Sequence, residues 1–332
     1  EVIDFTGEKN TKAVSRTMTM EGKTIFDAAR NAISISGKRL YWSHMKTVII
    51  SKRIAVNGVI EVLDWFARDS ETRSDVNILV SKEETAKEVL QIPGTTEIIK
   101  GLEINEALRN EKSLAKAPQT DVLEMIGELQ AKGMDAVAPA IKLKKINGEV
   151  APSLIGTAIF KADKLEGFLD DEETKDLLFI RNKVKAGILV EFEQGNEEGI
   201  PISLEVFQSK TKVEPVIKEG KIQFNVNTDT EVAIDEIGGS KDVVEEEGRK
   251  KLEQEAAENL KTRMEKLIKK MQVQDRLDIF GFGAKLREEK PKVWKSVENN
   301  WLDKFKNTRV NVSVRIHIRN SAALSKPIEA GE

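Results

Sequence analysis

The sequence predicts an α+β protein of three mixed α/β domains, the last an antiparallel sheet with a long amphipathic helix packed on it. Three observations carry this. Within Asp242–Gln272, Leu252, Ala256, Leu260, Met264, Leu267 and Met271 recur every three or four residues, one apolar stripe along a helix. Within Arg309–Asn320, Val310, Val312, Val314, Ile316 and Ile318 alternate with Arg309, Asn311, Ser313, Arg315 and His317, a half-buried strand. The segment to Gln91 alternates short apolar runs with helical stripes, the pattern of a small open sheet with helices laid on it.

In chain order, Lys23–Ile35 reads as a helix whose core stripe is Ile25, Ala28, Ala29, Ala32 and Ile33. Met45–Ser51 is a buried strand, Ile54–Arg68 a helix with Val56, Val59, Ile60, Leu63 and Ala67 inward, Val76–Ser81 a second strand, and Glu83–Gln91 a helix stopped by Pro93-Gly94. Pro93-Gly94-Thr95-Thr96 is the first expected linker, so the first domain is 1–92. The middle domain, 93–181, holds helices over Glu97–Asn110 and Asp121–Lys132, the latter with Asp121 as N-cap, Glu124 three residues on and Gly133 past its end. Strands Ala138–Lys145 and Glu149–Lys161 flank Asn147-Gly148, a hairpin signal, and Lys161–Leu169 turns back through Ala162-Asp163. Asp171–Arg181 is a helix with acids in its first turn and cations later, as its dipole prefers.

The last domain, 182–332, opens with alternating segments Ala186–Glu193, Ile200–Lys210, Thr211–Lys218, Lys221–Thr228 and Glu231–Ile237, read as an antiparallel meander. The long helix follows, then Gly281-Phe282-Gly283 as a backbone bend. Trp294, Trp301 and Phe305 are expected on one helical face, and Ala322–Glu332 reads as a frayed tail.

The chemistry available is narrow. The chain has 332 residues, no cysteine and two histidines. Disulfides, thiol nucleophiles and thiolate metal sites are therefore excluded. His317 falls on the polar side of its strand and His44 just before a buried strand, neither beside a triad. Asp170-Asp171-Glu172-Glu173 lacks the ligand spacing and glycine of a calcium loop. Gly281-Phe282-Gly283 lacks both a third glycine and a P-loop lysine. No catalytic, cofactor or metal residue is assigned, and no enzyme is expected. A net charge of −3 and 5% aromatics argue against nucleic acid. No apolar run approaches the ~20 residues that span a bilayer. The chain opens at Glu1 rather than methionine, so a targeting segment is expected to have been removed. The one surface singled out is the polar side of the final strand. There Arg309, Arg315, His317 and Arg319 form a basic stripe suited to lipid headgroups or an acidic partner loop.

Three blocks, in this order and spacing, resemble the Ger(x)C family of spore germination lipoproteins. They are Gly37–Ser51 running on to Trp65-Phe66-Ala67-Arg68-Asp69, then Gly156–Leu169 with Glu173-Thr174, then Lys269–Gly283 with Trp294, Trp301 and the final strand. The resemblance covers almost the whole chain. It implies a non-enzymatic subunit of a nutrient germinant receptor, of three mixed α/β domains. It further implies a lipidated N-terminal cysteine holding the protein on the outer face of the spore's inner membrane, beside integral-membrane A and B subunits. The signal peptide, lipidated cysteine and early strand of the family are not in this sequence. The alternative reading is an extracytoplasmic binding protein for a small molecule such as the germinant, with a cleft near Pro93-Gly94.

Overall fold

A computed structural model describes residues 1–6, 12–92, 99–192, 201–237 and 246–319. The expected linker at 93–96, the expected helical start at 242–245 and the expected tail at 322–332 lie outside the described residues. The architecture is α+β in two compact units. One comprises Glu1–Glu111, Lys116–Ala131 and Asp135–Asp171; the other comprises Lys112–Ala115, Lys132–Met134 and Glu172–Glu332.

The first unit carries a five-stranded sheet and a hairpin, β1 (Val2–Thr6) with β2 (Lys12–Arg16), which corrects the expectation that no early strand precedes Lys23. The sheet strands are β3 (Thr47–Ile50), β4 (Asn77–Ser81), β5 (Val137–Ile146), β6 (Glu149–Lys161) and β7 (Lys164–Leu169), in that spatial order. The first three run parallel and the last three antiparallel. Strands expected on either side of residue 92 thus share one sheet, with Val80 opposite Ala140. Asn147 and Gly148 both take positive φ, as the tight hairpin turn between β5 and β6 requires. β4 is buried on both faces, which is why it reads as an unbroken apolar run. Ile78 and Val80 join one core cluster with residues of α2 (Lys52–Asn57), α3 (Ile60–Arg68) and α6 (Val122–Gln130). Leu79 joins another with Val89 of α4 (Ala86–Gln91) and Ile104 and Leu108 of α5 (Lys100–Asn110). Asp121 caps α6 as expected, its carboxylate accepting the Glu124 N–H at 2.7 Å.

Two helical expectations need correction. α1 (Ile25–Ser36) buries only Ala32 of its expected stripe, and Ile25 and Ile33 stay exposed. The single helix expected over Ile54–Arg68 is two, α2 and α3, broken at Gly58, whose φ of 135° lies outside the helical region. The break shifts the helical phase. The buried residues are Ala55, Val59, Leu63 and Phe66, while Val56, Ile60 and Ala67 are exposed. The Ala162-Asp163 turn docks at the break: Val59 N–H donates to the Asp163 carbonyl at 2.9 Å.

The second unit begins with α7 (Asp171–Ile180), then a four-stranded sheet in the order β11-β10-β9-β8. Its strands are β8 (Gly187–Phe192), β9 (Pro201–Lys218), β10 (Lys221–Ile237) and β11 (Arg309–Ile318). The five short strands expected before the helix are three, because β9 and β10 each run straight through an expected turn. At the supposed break after Lys210, Thr211 pairs with Thr228 and their buried hydroxyls bond at 2.9 Å. Polar Thr and Ser on an inward face mimic a turn in sequence but sit comfortably across a strand pair. β10 and β11 are parallel, so the sheet is antiparallel except at that edge. Parallel neighbours need a long crossover, and α8 (Glu246–Lys270) begins it. All six stripe residues from Leu252 to Met271 are buried, and the helix packs on β11. It widens into a π turn at Met271–Asp275. α9 (Phe282–Glu289), α10 (Pro291–Val297) and α11 (Trp301–Phe305) complete the crossover.

Candidate functional site

β11 positions the basic residues singled out in the sequence. Its period of two puts Val312, Ile316 and Ile318 inside and Arg309, Arg315, His317 and Arg319 outside. The parallel register sets β10 acids beside them. Arg315 donates to both Asp229 oxygens, at 2.6 and 2.9 Å, and holds that carboxyl below its usual range. Arg319 pairs with Glu231, and His317 Nδ1 lies 3.2 Å from Glu253 Oε1 on α8. Arg309 bonds Asn311 at 2.9 Å. The four basic groups do share one face, but three of them stand beside carboxylates. The face is a solvated ladder of mixed charge rather than a purely positive stripe.

Behind the sheet lies the Asp278–Gly283 segment. Asp278 is fully buried, and its carboxylate accepts the N–H groups of Gly281, Phe282 and Gly283 at 3.0, 3.0 and 2.7 Å and Trp301 Nε1 at 2.9 Å. It satisfies the opening amides of α9 and ties them to α11. A Cβ on Gly283 would lie 2.6 Å from Trp301 Nε1 and 2.7 Å from Gly133 Cα, so this contact admits only glycine. The expected bend is therefore a buried knot. Trp294, Trp301 and Phe305 are buried as expected, but on two short helices rather than one face. Trp301 stacks on Phe305, and Phe282 on Phe224 of β10.

Sequence reading missed a polar cluster linking α7, α8 and β8. Arg263 Nε donates to Asp176 at 3.2 Å, and Asn259 donates to Glu191 at 2.7 Å. Lys175 and Lys270 pair with Glu172 and Glu173 at 2.8 and 2.7 Å. Burial pushes Asp176 up to about 6, Arg263 pulling the other way, and burial also raises Glu191. One signal was in the sequence: Glu191 falls on the inward phase of β8, where an unpartnered acid is costly. Its partner Asn259 lies on a distant helix that periodicity does not connect to it. Neither histidine belongs to this cluster, and His44 is exposed on a short turn. Among the described residues no group of acids and histidines is arranged to hold a metal, and no helix is long and apolar enough to cross a membrane.

Comparison with known proteins covers both ends of the chain. The family model described as spore germination B3/GerAC like, C-terminal, matches residues 155–322, and that of the spore germination protein N-terminal domain matches residues 1–143. Spore germination protein YndF of Bacillus subtilis (strain 168) is 26% identical over 85% of this chain and 68% of its own length. Spore germination proteins KC and B3 of the same organism are each 23% identical, over 94% and 93% of this chain and 80% and 82% of theirs. The crystal structure of the GerBC protein aligns with a TM-score of 0.64 at 23% identity, covering 87% of this chain and 83% of that one, a likeness of fold.

Proposed function

The chain belongs to the spore germination B3/GerAC-like family, and we propose that it works as the C subunit of a nutrient germinant receptor. In this reading it is non-enzymatic and acts through its surfaces, assembling with integral-membrane A and B subunits. It is held on the outer face of the spore's inner membrane by a lipidated cysteine upstream of Glu1. A lipid chain together with membrane partners gives stable attachment where one acyl chain alone is marginal.

One observation carries the non-catalytic part: the most buried charged groups of the second unit are spent on structure. Asp278 takes four donors from α9 and α11, and Asp176 is held by Arg263. Each carboxylate is committed to donors that hold helices in place, which favours a structural over a catalytic role. The basic residues of β11 remain a contact surface in this reading, engaging headgroups or an acidic loop through a face of mixed charge. The test is nutrient-triggered germination of spores lacking this chain. Loss of the response to at least one nutrient, restored by the wild-type gene, is expected; a normal response to every nutrient tried would overturn the assignment.

A further inference from the structure

The second unit's sheet ends at β8, whose only strand neighbour among the described residues is β9. On its other side, the β8 backbone makes no backbone hydrogen bond to a described residue, although the Leu114–Ala115 segment lies against its first residue, Gly187. A free edge is a template for another strand, and proteins usually blunt one with lysine, proline or a bulge. β8 lacks all three, and its one guard is an inward-pointing charge, Glu191; it reads Gly187-Ile188-Leu189-Val190-Glu191-Phe192. Ile188 and Val190 point to the outer face and are each 45% exposed, and Phe207 on β9 is 49% exposed. Farther across, the same face is polar, with Lys210, Lys212, Asp229 and Arg315. Apolar side chains therefore line the β8 edge, with Val216 a separate exposed residue farther along β9.

The inner side of that edge differs in chemistry. Glu191 points inward, with Glu172 of α7 and Glu255 of α8 near enough to act on its charge. The counter-charges are Lys175 on Glu172, Lys251 at 3.8 Å from Glu255, and Arg263 shared between Asp176 and Glu172. Acids outnumber cations here, and the Glu172 and Glu255 side chains are 52% and 38% exposed. A strand laid along β8 would present one side to apolar residues and the other to acids.

We propose that β8 receives an extended segment of a partner protein in which apolar and basic residues alternate. It adds a fifth strand to this four-stranded sheet. The apolar side chains cover Ile188, Val190 and Phe207, and the basic ones reach Glu172 and Glu255. A second copy of this chain fits poorly, because pairing β8 with itself about a two-fold axis brings two acidic sides together.

The test uses the whole chain and a labelled short peptide alternating valine and lysine, with a valine–aspartate peptide as control. Two variants are compared after matched thermal melts: Ile188→Lys with Val190→Lys, and Glu172→Gln with Glu255→Gln. All four positions are at least partly exposed, so the core is left intact. The expected result is saturable binding of the valine–lysine peptide, weakened by salt and about tenfold or more weaker in each variant. Failure of that peptide to bind, equal binding of the aspartate peptide, or binding that survives both variants would overturn the proposal. So would dimerisation in sedimentation that the double-lysine variant abolishes, which would assign the edge to a second copy.

Discussion

Asp176 gives the clearest consequence of burial at a single residue. Its carboxyl is pushed from an ordinary 3.8 up to about 6. Between those pH values the folded chain keeps a proton that the unfolded chain has released, so stability falls as pH rises through the window. The total is about 3 kcal/mol at ~1.4 kcal/mol per pH unit. Glu191, also raised by burial, contributes with the same sign. Asp176→Asn should flatten the dependence of urea-melt midpoints between about pH 4 and pH 6; an unchanged slope would mean that the group does not titrate there. Asp278 makes a different prediction. An asparagine there keeps the shape but turns an N–H₂ group toward amide donors, so Asp278→Asn should cost about 2–4 kcal/mol. A melt within error of wild type would show that the knot is not holding α9. Neither role was legible in the sequence. Asp278 was visible only as the start of a glycine bend, because its bond to Trp301 spans a stretch with no periodic link.

At the scale of elements, what the sequence disclosed depended on whether the evidence was local. The α8 stripe and the β11 alternation were complete in sequence, since each repeats a single period along one element; the stripe is fully buried, and on β11 Val312, Ile316 and Ile318 are buried while Val310 and Val314 are half-buried. Boundaries set by backbone geometry were harder. Gly58 splits one expected helix into two, and the threonines of β9 and β10 imitated turns inside continuous strands. Strand partners were not legible at all: β4 pairs with β5, and β10 with β11, across long intervening chain. The α8 reading has a sharp test. Leu260 is fully buried, so Leu260→Asp sets an unpaired charge against the sheet and should cost about 4 kcal/mol or more, abolishing cooperative melting of this unit. Unchanged melting would show the stripe is not load on the core.

For the whole molecule, the family was legible because the residues carrying the resemblance are also the ones that shape the fold. Gly58 breaks α2 from α3, Gly156 has a positive φ of 94°, and Asp278–Gly283 ties α9 to α11. Of the candidate surface, the basic residues of β11 were readable but their acidic neighbours were not, since Asp229 and Glu231 reach them only through a parallel pairing. If function lies in assembly rather than chemistry, removing both histidines should matter little. His44→Gln with His317→Gln, expressed at normal level, should leave nutrient-triggered germination nearly unchanged; complete loss at normal level would point to catalysis. The central claim is association with membrane subunits, and affinity capture of the tagged chain from detergent-solubilised spore membranes measures it most directly. The account predicts recovery of the A and B subunits in constant proportion to the tagged chain, retained in the His44→Gln, His317→Gln protein and lost with Leu260→Asp. Capture of the folded chain without either subunit would contradict it.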